Sequence, residues 1–379
     1  MRVALFTDGI SPYVLGGMQR HSFFVCKFLA QAGIHVDLYH FNQSDYDIQK
    51  LEFFTDDEKR FIRNIVLEFP KTKYFPGHYL YGSWKYSEEI FKRFLQNGPV
   101  NFIYSKGFTA WYLLKNKHKL PFPCPPVGVK LHGMNMYQKP ERFRDYPVQW
   151  MLRIPASYCM KKADYVFSYG GKITEIIRKA GVEPSKILEI PTGITEDWLR
   201  MPDEPQRPLK FLYVGRYDTI KGINEIYSCI LSTPEESFEF HFIGPFDEDK
   251  KIKDKRAVYH GEIRDVERIK KIMDVCHVLV CPSYSEGMPN VILEGMSRGM
   301  AVFATQTGAI PLMADETNGW LISGPNINIM LPTFKKICKA DFRELQEKRI
   351  NSYDKIKRRF LWSTISKQLT DIIKKISLT

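Results

Sequence analysis

Apolar residues in this chain come in short blocks separated by longer stretches at helical spacing. Arg2-Val3-Ala4-Leu5-Phe6-Thr7 reads as a buried strand, followed by a loop through Gly16-Gly17, a helix from about Met18 to Ala32 and a second strand near His35 to Phe41. That is a βαβ opening. Further strands are predicted at Asn101 to Tyr104, Val127 to Leu131, Ala163 to Tyr169 and Ile187 to Ile190, with helical or loop stretches between them. Runs so uniformly apolar suit parallel strands covered on both faces.

Pro202-Asp203-Glu204-Pro205-Gln206-Arg207-Pro208 interrupts the pattern with a composition that neither a helix nor a central strand tolerates, and it reads as a linker. The alternation then resumes. Strands are predicted over Lys210 to Val214, Phe238 to Ile243, Val278 to Cys281 and Ala301 to Ala304, and helices over Gly222 to Leu231, near Val266 to Met273, and over Asn290 to Arg298. A last helical stripe runs from Arg358 through Leu361, Trp362, Ile365, Leu369 and Ile373. The organisation expected is therefore α/β, with one Rossmann-like domain over 1–190, a second over 191–357 and a terminal helix over about 358–379 that crosses back to the first.

The most informative stretch is Ser285-Glu286-Gly287-Met288-Pro289-Asn290-Val291-Ile292-Leu293-Glu294, directly after the strand Val278 to Cys281. Gly287 and Pro289 force a turn, and helical spacing begins at Asn290. Glu286 then lies in the loop and Glu294 about one turn into the helix, so both can face a crevice at the carboxyl end of a strand. Open α/β sheets bind ligands there, and free N–H groups at a helix start suit a phosphate. Met288, Asn290 and Val291 can each offer an N–H, whereas Pro289 has none.

At 379 residues, 44% apolar and 26% charged, the composition is globular and exceeds one ordinary domain. The net charge of +12 is uneven: residues 1–190 hold 27 Lys and Arg against 17 Asp and Glu, and residues 191–379 hold 28 against 26. A basic first half could attract a phosphorylated or acidic acceptor, an anionic membrane surface or nucleic acid, or simply keep the domain soluble. No nucleic-acid motif accompanies it, so no nucleic-acid partner is expected. Seven cysteines without metal-type spacing suit reduced, packed thiols. A cytosolic location is expected, with the basic half as the part that would meet an inner membrane face.

Phe211-Leu212-Tyr213-Val214-Gly215-Arg216 with Lys221-Gly222, the Glu286 to Glu294 spacing, and Thr305-Gln306-Thr307-Gly308 occur in an order that resembles glycosyltransferase family 4, the retaining sugar-nucleotide transferases of GT-B architecture. The resemblance spans nearly the whole chain, and it implies two facing Rossmann-like doubly wound domains. It also implies that Arg216 and Lys221 stabilise a departing nucleoside diphosphate, that Glu286 meets the donor sugar and that Glu294 meets the ribose. Gly16 and Gly17 would border the donor phosphates. His132, at the end of Val129-Lys130-Leu131-His132-Gly133, would position the transferred sugar or else be a structural histidine. Gly244 and Ile263 fall in segments similar to the family's nucleobase loops. Ala309 and Leu312 depart from the family pattern, where a glycine and a glutamate are common.

The resemblance implies no metal and no cofactor beyond a UDP- or GDP-sugar substrate. Asp45-Tyr46-Asp47 has the letters of a metal triplet but lies in a polar stretch away from the donor half, and reads as surface. The expected activity is transfer of a sugar from a nucleotide sugar to a glycan, lipid-linked or small-molecule acceptor. A sugar-nucleotide epimerase of the same architecture, or a basic binder of nucleic acid or acidic glycans, are the rival readings.

Overall fold

The computed structural model describes residues 1–71, 73, 75–138, 146–234 and 237–378, and the chain falls into two compact units. The first comprises residues up to Tyr137, the stretch that runs to Pro191, and the chain from Thr364 onward. Its strands are β1 (Arg2–Phe6), β2 (His35–His40), β3 (Ile62–Val66), β4 (Phe102–Lys106), β5 (Val127–Lys130), β6 (Tyr165–Ser168) and β7 (Ile187–Glu189). They form one parallel sheet in the order β3-β2-β1-β4-β5-β6-β7. Every residue of β4 and β5 is buried, as central strands covered on both faces require.

The second unit, from Thr192 to Ser363, repeats the plan with β8 (Leu209–Val214), β9 (Phe238–Ile243), β10 (Ala257–Tyr259), β11 (Val278–Cys281), β12 (Ala301–Thr305) and β13 (Gly319–Ile322). Its sheet is also parallel, ordered β10-β9-β8-β11-β12-β13. In each sheet the strand order reverses once, between β1 and β4 and between β8 and β11. A crevice opens at the carboxyl ends of the strands at such a reversal. The architecture is GT-B.

Three strands escaped the sequence pattern: β3, β10 and β13. All are edge or near-edge strands, and β3 keeps only Ile62 fully buried, so none needs an unbroken apolar run. Aromatic side chains at the start of the helix His78–Asn97 are exposed, with Phe75 just before it and Tyr79 and Tyr81 in its first turn; Tyr74 lies outside the described residues.

The terminal apolar stripe is two helices, not one. Phe342–Arg359 ends before the break at Phe360-Leu361, and Trp362–Leu378 follows, so Arg358 belongs to the earlier helix. At the break Ile194 N–H donates to the Phe360 carbonyl and Trp362 N–H to the Ile194 carbonyl, both at 2.9 Å. Trp362 and Ser363 group with the second unit and the rest of that helix with the first.

Nor is the proline-rich run a free linker, for it is clamped within the second unit. Arg349, buried in the helix Phe342–Arg359, donates to the carbonyls of Gly299 at 3.0 Å and Asp203 at 2.6 Å. Just upstream, Arg200 reaches Asp274 at 2.6 Å. Asp274 also holds Arg298 through two bonds, at 2.6 and 2.7 Å, in a pair that is nearly fully buried on both sides. Proline fixes backbone angles without supplying donors, so the Arg349 side chain reaches in to the Asp203 carbonyl that the strandless segment leaves open.

Removing one member of a buried, fork-shaped ion pair leaves the other unpaired. Asp274→Ala should therefore lower stability by about 3–5 kcal/mol. Urea unfolding monitored in the second unit checks this, and a midpoint equal to the parent's would contradict it.

Candidate functional site

In the second unit the loops after β8 and β11 flank the strand-order reversal. Tyr213 sends its hydroxyl to the Arg216 carbonyl at 2.9 Å, which shapes the first loop. Asp218 then caps the 3-10 turn Thr219–Lys221, accepting from Ile220 N–H at 3.1 Å. Gly222 follows with φ +74°, and a Cβ there would lie 2.3 Å from the Pro282 carbonyl oxygen. Only glycine allows the two loops to approach so closely.

That approach brings Lys221 Nζ to within 2.7 Å of Glu286 Oε1, which also accepts from Ser283 Oγ at 2.7 Å. Burial works to lower the Lys221 pKa, but the Glu286 carboxylate outweighs it and holds the ammonium above its ordinary value. Arg216 behaves differently. Its guanidinium is 74% exposed and bonds twice to Asp218 Oδ2, at 3.1 and 3.0 Å. The two cations expected to act together thus share one loop but rest on separate carboxylates, and Lys221 lies in the turn before the helix Ile223–Leu231 rather than inside it.

The Glu286 loop is pinned from the other side by the turn after β12. Thr305 donates its hydroxyl to the Ser283 carbonyl at 2.6 Å, and Ala309 N–H donates to the Gly287 carbonyl at 2.7 Å. Gly308, at φ +54°, would put a Cβ 2.3 Å from the Glu286 carbonyl oxygen. Beyond the loop, the helix Asn290–Ser297 starts at Pro289 with no side-chain cap, so no side chain at the cap takes up its first N–H groups. Asn290 and Val291 are half-buried there, and Glu294 is buried one turn on. Met288 is buried, and its Sδ accepts from Thr192 N–H at 3.3 Å. Gly244, at the end of β9, backs onto Gly215 and donates to the Gly261 carbonyl at 2.9 Å. Ile263 is half-buried in the loop before the helix Val266–Val275.

The first unit has a cavity of about 510 Å³ at its own strand-order reversal, lined by Asp8, Gln19, Tyr79, Thr109 and His132 among others. Gly16 and Gly17 are exposed beside it, Gly16 as the N-cap of the helix Gly17–Gln31. Beneath the cavity runs a chain of polar side chains at the carboxyl ends of β4 to β7. Lys130 donates to the Ile190 carbonyl at 2.7 Å and stands 4.0 Å over the Tyr169 ring. Tyr169 hydroxyl bonds His132 Nδ1, His132 Nε2 lies 3.4 Å from Lys106 Nζ, and Lys106 bonds His21 Nδ1 at 2.6 Å.

Burial pushes Lys106, Lys130, His21 and His132 well below their ordinary pKa values, and the lysines push the histidines further. His132 is therefore a neutral ring with both nitrogens engaged. Burial raises Asp8 to about 6, against the lowering pull of its backbone contacts and of Lys106.

The sequence reading missed Asp8, Lys106, Lys130, Tyr169 and Ser283. A signal existed for the lysines, since the apolar runs Phe102-Ile103-Tyr104-Ser105-Lys106 and Val127-Gly128-Val129-Lys130 each end in a cation. Asp45 and Asp47 are exposed, and among the described residues no group of three or more His, Cys, Asp or Glu converges as metal ligands would. All seven cysteines are free, and burial raises Cys281, nearest this site, to about 12.

Comparison with known proteins bears on the family. Residues 208–331 match the model described as glycosyl transferases group 1, and residues 15–198 match glycosyltransferase family 4. The amylovoran biosynthesis glycosyltransferase AmsK of Erwinia amylovora is 28% identical over 163 residues, 38% of this chain and 37% of that protein. Across three such curated relatives the matched stretch spans between 21% and 54% of their length. Among solved structures, sucrose-phosphate synthase from Thermosynechococcus elongatus superposes with a TM-score of 0.80 at 19% identity, covering 99% of this chain and 98% of that one. HepE from Anabaena, solved in complex with UDP-glucose, gives 0.67 at 16% identity, covering 99% and 100%. With both halves matched by the family's models and the shared architecture in place, the chain belongs to glycosyltransferase family 4.

Proposed function

We propose that this protein is a retaining, metal-independent glycosyltransferase that moves a sugar from a UDP- or GDP-sugar to a glycan, lipid-linked or small-molecule acceptor. The observation that supports this most is the 2.7 Å contact between Lys221 and Glu286 at the strand-order reversal of the second unit, beside an uncapped helix start. A cation, free N–H groups and a carboxylate side by side suit a diphosphate joined to a sugar.

In this reading Lys221 and Arg216 receive the leaving diphosphate, with the N–H groups of Met288, Asn290 and Val291 assisting. Glu286 accepts from a sugar hydroxyl and favours positive character at the anomeric carbon. Glu294 takes the ribose hydroxyls, while Gly244 and Ile263 border the base. The C–O bond to the diphosphate breaks as the acceptor hydroxyl attacks from the same face, and the departing phosphate oxygen takes the hydroxyl's proton. No further base is needed. His132, with both nitrogens held, then positions the ligand rather than moving a proton. The protein's own cations balance the developing charge, so the chemistry calls for neither a metal nor a cofactor.

Gly16 and Gly17 border the donor phosphates in this reading, and the first-unit cavity takes the acceptor. Asp8, ionised, accepts a hydrogen bond from a second hydroxyl of the acceptor, not the one that attacks, and so positions it. UDP-glucose in HepE supports the donor class, and the naming of AmsK for amylovoran biosynthesis supports a glycan acceptor in a surface-polysaccharide pathway.

Lys221→Ala and Glu286→Gln should each reduce sugar transfer by about 10²–10³-fold when assayed below the unfolding temperature of each variant, so that lost chemistry is read apart from lost stability. Near-parental transfer rates in both would sink the proposal, and an epimerised sugar nucleotide released without acceptor would point to the epimerase instead.

Gly308→Ala puts a methyl group against the Glu286 carbonyl and forces a positive φ on a residue that resists it. A stability loss of about 1–3 kcal/mol is expected, with a fall in kcat. Unchanged denaturation and kinetics would mean that this turn does not hold the Glu286 loop.

Asp8 supplies a pH test. Between about pH 4 and 6 the folded protein retains a proton on Asp8 that the unfolded chain has lost, so this group's contribution to stability falls as pH rises through that window. Acceptor kcat/KM should rise across the same range as the carboxylate forms. Asp8→Asn should flatten that limb, and a limb that survives the substitution belongs to another group.

A further inference from the structure

The helix Tyr146–Lys162 has two unlike faces. Pro155, Ala156, Cys159 and Met160 are buried against the first unit. Tyr146, Trp150 and Ile154, four residues apart on the opposite side, are 45%, 65% and 56% exposed. Large apolar side chains aligned on one solvent face of a helix are unusual for a surface that meets only water. Val148, 54% exposed, adds to the apolar area.

The charges on this helix are all of one sign. Its seventeen residues contain Arg153, Lys161 and Lys162 and no acid. Beside the apolar stripe opens a cavity of about 540 Å³, lined by Trp150, Ile154, Tyr158, Arg153, Lys161 and Lys162 among others, with no carboxylate among its lining residues. Arg153 is partly occupied, donating to the Met136 carbonyl at 2.5 Å and standing over the Tyr137 ring. The two exposed lysines lie about two helical turns beyond Ile154, at the end of the stripe. Aromatic and aliphatic groups with cations at their margin match an interface where acyl chains give way to anionic headgroups.

We propose that this helix face docks on an anionic lipid bilayer, with Trp150 and Ile154 entering the acyl boundary and Lys161 and Lys162 meeting lipid phosphates. The inference deepens the lipid-linked arm of the proposed function, because a lipid-linked acceptor is presented at such a surface. Its test needs no sugar transfer, so the two can fail separately.

Vesicle sedimentation of the full chain decides it, comparing phosphatidylcholine vesicles with vesicles that also contain phosphatidylglycerol. The parent protein should sediment with the anionic vesicles only, and less as salt rises. Lys161→Ser with Lys162→Ser should weaken partitioning by about thirtyfold, the effect of two cations near a charged membrane. Trp150→Ser with Ile154→Ser should bring it to background. All four positions are exposed, and thermal unfolding of each double variant checks that the fold persists. Equal binding to both vesicle types, or anionic binding unchanged in both double variants, would overturn the proposal. A vesicle-free dimer seen by light scattering and abolished by Trp150→Ser would overturn it too, since the stripe would then be a self-association surface.

Discussion

The contact between Lys221 and Glu286 is the constraint around which the second unit's loops after β8 and β11 are arranged. The two residues stand 65 positions apart and meet because parallel pairing sets β8 beside β11, with Phe211 opposite Val278. Strand ends alone would leave both side chains on long, mobile connections. Gly222 against Pro282 on one side, and the turn from Thr305 to Ala309 on the other, fix where the loops can go. A partly buried ammonium and a buried carboxylate then hold each other in place. Such a pair is oriented before any ligand arrives, and groups already aimed at a developing charge need no reorganisation when it forms.

The first unit uses the same topology with a different economy of charge. Two lysines buried at strand ends are costly unless every polar head finds a partner. Lys130 finds a carbonyl and an aromatic face, and Lys106 finds two imidazoles. The resulting chain locks the rings of His132 and Tyr169 in one arrangement beneath a cavity that Asp8 overlooks. Desolvation lowers the bases and raises the acid together, as expected where ionised groups are kept from water. The site is pre-arranged for hydrogen bonding, with little spare proton-accepting capacity in its histidines.

Outside these two centres, arginine does much of the holding. The segment from Arg200 to Pro208 has no regular structure, yet Asp274 holds it through the Arg200 side chain and Arg349 through the Asp203 carbonyl, while Arg298 braces Asp274 from behind. Its prolines made it look like a connector. What they mark is backbone that cannot join a sheet and must be satisfied by side chains reaching in from helices.

Local composition was enough to read the doubly repeated α/β plan, because buried parallel strands are continuous apolar runs and helices carry a 3.6-residue stripe. Glu286 and Glu294 could be placed around a turn for the same reason: strand, Gly-Pro turn and helix are all short-range events. Edge strands such as Ile62–Val66 left too faint a pattern, and the break at Phe360-Leu361 was hidden inside a stripe that continues across it. Only tertiary structure decided that Arg216 pairs with Asp218 while Lys221 pairs with Glu286, that Gly308 braces the Glu286 loop, and that Lys106, His132 and Tyr169 form one chain. Those are contacts between distant segments, fixed by sheet order and by the space available between backbones, and neither quantity is written in any local run of residues.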